Sequence, residues 1–268
     1  MPMLPVYLAV TVMIVLMITA WALQRTLRKA GRLHPRHFAL PKGWLEILRA
    51  NVPLYNRLPV DLRERMQDAV MNFVDGKRWK HCGGLETVTT EMKVTIAGQA
   101  CFLLLAREGQ LNFARIHNVL VYPKSSLSAT EDPENALPPV DAWPSASVLL
   151  AWDAERKTAL DLRDEGPGAV REFAARLNPG DGGPARGARV HTAWARVICG
   201  QFLQSREGAD HGEQLLREHG EEGAEEYFAA ATELFFEAPD RLHAHHADLY
   251  SRLRMFFKLD PVKWLPAR

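Results

Sequence analysis

The sequence predicts an α+β domain behind one N-terminal transmembrane helix. Three observations predict it. The first 24 residues carry no charged side chain. Two short apolar runs, residues 119–122 and 148–152, end abruptly at Pro123 and Asp153, as buried strands do. Around them lie longer segments whose apolar residues recur every three or four positions, the period of a helix face.

Residues 3–23 are almost wholly apolar. At about 1.5 Å per residue such a run spans roughly 30 Å, the thickness of a bilayer's hydrocarbon core. Arg25, Arg28, Lys29, Arg32 and Arg36 follow directly. Basic residues flanking a span stay on the cytoplasmic side, so the rest of the chain is expected to face the cytoplasm. A cleavable signal peptide is the competing reading, because Ala20-Trp21-Ala22 offers small residues at a cleavage-like spacing. Against it stand the missing basic residues ahead of the apolar run and the run's length.

Residues 1–24 are therefore an anchor, 25–43 a basic juxtamembrane linker punctuated by Pro35 and Pro41, and 44–268 one domain. Residues 59–75 read as a helix from the spacing of Leu62, Met66, Ala69, Val70 and Phe73. Residues 86–88 read as a short strand. Residues 93–105 read as a strand passing into a helix, with 97–105 the helical part. After strands 119–122 and 148–152, the interval 125–144 holds four prolines and is a loop. Residues 167–177 are a helix opened by Pro167-Gly168 and closed by Asn178-Pro179-Gly180. A Gly/Pro-rich loop, 179–189, leads to helices at 190–204 and 225–236. Pro239 stops the second of these, and 241–257 is a last amphipathic helix.

Composition excludes several classes. The 268 residues are 47% apolar and 24% charged, ordinary for a globular chain. A net charge of +1 gives no bulk field to attract nucleic acid. The three cysteines, Cys82, Cys101 and Cys199, are odd in number and widely spaced, which fits a reducing compartment rather than a disulfide framework. The chain has no nucleotide-binding glycine loop and no Ser/His/Asp arrangement.

One helix carries the outline of a reactive motif. Val170-Arg171-Glu172-Phe173-Ala174-Ala175-Arg176-Leu177-Asn178 follows the zinc-peptidase pattern H-E-x-x-H with the glutamate kept and both histidines gone. That pattern needs histidines at i and i+4 because these positions share one helix face. Its glutamate takes a proton from zinc-bound water. Arg171 and Ala175 occupy the two ligand positions. Taken alone, Glu172 would be an ordinary helix glutamate.

Other blocks accompany it in order. They are Asn51-Val52-Pro53-Leu54-Tyr55-Asn56-Arg57-Leu58-Pro59, then Cys82-Gly83-Gly84-Leu85-Glu86 with Val94-Thr95-Ile96-Ala97-Gly98-Gln99-Ala100, the two strands, and the segment from Glu226 to Phe236. Over residues 44–265 this set resembles the Mlc titration factor A family, cytoplasmic zinc-dependent peptidases of bacteria. The resemblance implies a zincin-like (gluzincin) metallopeptidase domain with a small sheet and several helices. It puts Glu172 at the general base and Glu233 at the third metal ligand. His219 stands where the family has a tyrosine that stabilises the transition state, and Asn178 where the motif continues with aspartate.

The lost histidines divide the functional expectation. An arginine has no lone pair for zinc and an alanine has no donor at all. The first expectation is a pseudopeptidase, a membrane-tethered binding or regulatory module with no cofactor. Arg171 then replaces the metal's charge beside Glu233, and Glu172 pairs with Arg176 four residues on. The second is an active zinc metallopeptidase or aminopeptidase that uses non-standard ligands and takes peptide substrates. Its unorthodox donors would be His219, Glu233 and Glu172, or the cluster His243, His245 and His246. The third is a tethered scaffold with an inherited fold. The expected partner is the membrane, through the N-terminal helix. A transcriptional repressor is carried by the resemblance alone, and nucleic acid is not expected.

Overall fold

The computed structural model describes residues 40–105, 111–124, 146–154, 158–161, 169–179 and 224–265. The expected anchor, most of the linker, the loop at 125–144, the helix at 190–204 and His219 lie outside the described residues. Among the described residues no helix is long and apolar enough to cross a membrane.

Helix α1 (Lys42–Asn51) leads through a 3-10 turn, Pro53–Arg57, into α2 (Val60–Gly76). Helix α2 buries Leu62, Met66, Val70 and Phe73, the stripe its spacing predicts. Strand β1 (Arg78–His81) follows, and Gly83 and Gly84 turn the chain at φ 60 and 79°, values that glycine adopts without strain. Helix α3 (Thr90–Cys101) comes next, then a 3-10 turn, Phe102–Leu104, and strand β2 (Leu111–Asn112).

Strands β3 (Asn118–Pro123) and β4 (Ser147–Asp153) are parallel neighbours, with Val119 opposite Val148 and Val121 opposite Leu150. Strand β1 pairs parallel to the outer side of β3, and β5 (Thr158–Asp161) pairs antiparallel to β4. The order is β1-β3-β4-β5. Side chains alternate across the two central strands. Val119, Val121, Val148, Leu150 and Trp152 join the main core, whereas Leu120, Tyr122, Leu149 and Ala151 form a second cluster with Cys82. Both faces are buried, so each strand reads as a continuous apolar run.

Helix α4 (Ala169–Ala175) precedes β6 (Asn178–Pro179), a two-residue partner of β2. Three helices close the described chain: α5 (Ala224–Glu237), α6 (Pro239–His245) and α7 (Ala247–Phe257). The class is α+β, with a small, mostly parallel sheet and several helices.

Three expectations are corrected. Residues 86–88 form no strand, because the glycine turn directs them towards α3 and not into the sheet. Residues 93–105 contain no strand either, and the helix begins at Thr90. The Thr89 hydroxyl caps it by accepting the Met92 N–H at 3.3 Å. Its β-branched run, Val94-Thr95-Ile96, is fully buried, so packing overrides strand propensity. The last helix is two helices. Pro239 opens α6 at its first position, where a missing N–H costs nothing, and His246 (φ −137°, ψ 59°) separates α6 from α7.

Helices α1 and α3 cross closely at Gly98. A Cβ there would lie 2.8 Å from Leu48 Cδ2 and 2.9 Å from Val52 Cγ2. Gly98→Ala gains up to about 1 kcal/mol in helix propensity. Overpacking costs about 1–3 kcal/mol, and the stiff Val52 side chain cannot turn aside. The variant is therefore expected to unfold at a lower temperature than the natural chain. An unchanged or raised midpoint would mean that α1 yields freely.

Candidate functional site

Helix α4 is short and almost entirely enclosed, with its residues from Ala169 to Ala174 all buried. It packs chiefly against α5 and also touches α3, β4 and β5. An aromatic knot fixes its position. The Phe173 ring meets Phe73 edge-on at 5.5 Å and Phe113 at 5.3 Å between centroids. On α5, Ala229, Ala230 and Ala231 are fully buried, and so are Ala169 and Ala174 on α4. Small side chains on both helices leave room for their backbones to come close.

This arrangement buries charge. Arg171 is 2% exposed, Glu172 4% and Glu233 2%. Side chains of these types are almost never fully buried without a partner, because desolvating an ion costs several kcal/mol. Arg176, half-buried at the end of α4, forms an ion pair with Glu172 (Nη1 to Oε1, 2.5 Å). It also donates to the Glu172 backbone carbonyl at 3.1 Å. The pairing of Glu172 with Arg176 expected from their four-residue spacing is thus present. Arg171 and Glu233 lie on the two helices that pack together, α4 and α5.

Arg171, Glu172, Arg176 and Glu233 together sum to zero formal charge. Ala175 is half-buried and adds no polar atom. His219 lies outside the described residues, as do His191 and His211. His243 and His245 are exposed on α6, with the His243 ring edge-on to Tyr250 at 4.9 Å, and His246 sits at the break before α7. Other reactive groups are quiet. Burial pushes the Cys101 thiol well above the usual range and holds it protonated. Lys77 spends its ammonium on the carbonyls of Phe113 and Ile116, at 2.8 and 2.7 Å.

Residues 24–258 match the family described as glucose-regulated metallo-peptidase M90, and the chain belongs to that family. It is also similar to the uncharacterized protein slr2042 of Synechocystis sp., with 26% identity over 281 aligned residues that cover 97% of this chain and 99% of the relative. The sequence blocks that resemble the Mlc titration factor A family point to this same family.

A zinc ion, the metal that this family's chemistry implies, does not fit the side chains present. A catalytic zinc takes three protein ligands, drawn from His, Glu, Asp and Cys. At the α4 positions where the resemblance implies histidine ligands stand a guanidinium and a methyl group, so that of the implied ligand set only the Glu233 carboxylate is a donor. A guanidinium buried on α4, the helix that packs against the one carrying Glu233, would also disfavour a dication. Among the described residues no group of three or more His, Cys, Asp or Glu side chains is placed to hold a metal ion.

The sequence reading did not find a cavity of about 430 Å³ that touches α4 at Val170. One signal for it was present. Helix α5 ends in Glu237 and has no basic residue in its last turn, although the helix dipole disfavours an acid there.

Proposed function

We infer that this chain is an M90-family protein that keeps a zincin-like fold and has given up zinc chemistry, so that it acts as a binding or regulatory module. The observation that carries the reading is the charge at α4. A zinc site places a dication among carboxylates. Here Arg176 pairs with Glu172, and Arg171 is buried on the helix that packs against the one carrying the buried Glu233. Arg171 stands at a ligand position and is 2% exposed. A change that merely abolished activity would leave two buried carboxylates without compensation. Arginine is the residue suited to bind a carboxylate in a desolvated place, through its planar fork of donors.

The module works at the inner face of a bacterial membrane, held there by residues 1–24. Support comes from the uncharged apolar stretch and from the basic residues after it. A protein partner, of which a transcriptional repressor is the type that the family resemblance implies, fits a binding role.

Activity tests the reading directly. The full chain in detergent, with zinc added, is expected to give no turnover of chromogenic aminoacyl or peptide substrates. Its Glu172→Gln variant is expected to behave identically. Turnover that disappears in Glu172→Gln would overturn the proposal and restore the peptidase.

A further inference from the structure

The cavity beside α4 has an unusual frame, because three helices end on it. Ala50 and Asn51 are the last two residues of α1, Gln99 and Phe102 straddle the end of α3, and Phe236 and Glu237 are the last two residues of α5. A helix carries about half a negative charge at its C-terminus, where its last carbonyls lack helical partners, and α1 and α5 contribute most here because α3 runs on into the 3-10 turn. Three such ends around one space make that space attractive to a cation.

Glu237 strengthens this field. A carboxylate at the end of α5 repels the dipole of its own helix, and no basic residue in the last turn offsets it. Glu237 lines the cavity and is exposed, yet protein crowds the carboxyl group and loss of hydration pushes its pKa up. Residues that break local rules in this way tend to serve ligands.

An opposite charge lines the same space. Arg57, exposed at the end of the 3-10 turn after α1, borders the cavity together with Glu237. Neither residue forms an ion pair with the other or with any described residue. Val52, Leu54, Phe102, Val170 and Phe236 give the cavity an apolar lining, to which Asn51 and Gln99 add two amide side chains. A volume of about 430 Å³ falls at the lower end of the range for small-molecule sites.

We propose that this cavity binds a free α-amino acid with a large apolar side chain. The ammonium lies towards Glu237 and the three helix ends, the carboxylate towards Arg57, and the side chain against Phe102, Val170 and Phe236. The assignment does not depend on whether the neighbouring α4 site holds a metal. Because Val170 precedes Arg171, an occupied cavity bears directly on α4, and the ligand is an effector of the module.

Calorimetric titration of the full chain in detergent tests this, with L-leucine and L-phenylalanine as probes. Saturable binding is expected for both. N-acetyl-leucine, which lacks the ammonium, and leucinamide, which lacks the carboxylate, are each expected to bind at least about tenfold more weakly. Glu237→Gln and Arg57→Gln are expected to lose affinity for leucine by similar factors. Ala50→Trp, an exposed position, should abolish binding by filling the mouth. Circular dichroism checks that each variant is folded. The proposal is overturned if neither amino acid binds saturably, or if folded Glu237→Gln and Ala50→Trp bind leucine as the natural chain does. Tighter binding of leucyl-leucine than of leucine would overturn it too, since the site would then be reading a peptide.

Discussion

Replacing Arg171 and Ala175 together by histidine is expected to give a chain that holds close to one zinc ion, where the natural chain is expected to hold none. The geometry favours this gain. Positions 171 and 175 are one turn apart on α4, and α5, which carries Glu233, packs against that helix. Two imidazoles and one buried carboxylate are the donor set of a catalytic zinc site. The same change removes the guanidinium that would repel the metal. Each single replacement leaves two donors or fewer and is expected to bind far more weakly. Elemental analysis of the full chain in detergent, after zinc loading and desalting, reads the stoichiometry. Close to one zinc in the natural chain would overturn the non-metal reading. No zinc in the folded double variant would show that Glu233 is not the third ligand.

Legibility of the fold followed burial. Helix α2 has one buried face, so its apolar spacing declares it, and β3 and β4 are buried on both faces, so continuous apolar runs declare them. Helix α3 is buried without a break from Val94 to Gly98, so no polar position marks its period there and the Val94-Thr95-Ile96 run reads as strand. Strand β1 has the opposite difficulty. Arg78-Trp79-Lys80-His81 is a largely exposed edge strand without an apolar signal, and it exists because β3 offers a free side for pairing. Pro239 misled by its position, since proline ends one helix and opens the next equally well.

The α4 site was legible only through resemblance. Glu172 and Arg171 are unremarkable letters in one helical turn, and the letters do not reveal that both are buried. The spacing of Glu172 and Arg176 did announce their ion pair, because that interaction is local. The encounter of α4 with α5 joins positions some sixty residues apart, which no local pattern encodes. Glu237 was visible as an acid at the wrong end of a helix. Its meaning needed the ends of α1 and α3 beside it.

Arg171→Ala should be the most damaging single substitution at the site. The natural residue is 2% exposed, and Glu233, on the helix packed against it, is equally enclosed. On the proposed reading the guanidinium is the countercharge of that carboxylate. Removing one partner of a buried pair typically costs about 3–5 kcal/mol, because the survivor remains a desolvated charge. For a domain of this size the thermal midpoint is expected to fall by roughly 10 °C. A large loss alone would not separate lost packing from lost charge, so the pair needs a cycle. Arg171→Met with Glu233→Leu fills similar volume with neither charge. Replacing a buried ion pair by apolar groups is often neutral. The double variant should therefore be more stable than either Arg171→Met or Glu233→Leu alone, with a coupling in the range of about 0.5–3 kcal/mol seen for residues in contact. Additive losses would mean that Arg171 compensates some other group, and the exchange of a metal's charge for an arginine's would fail as an account of this site.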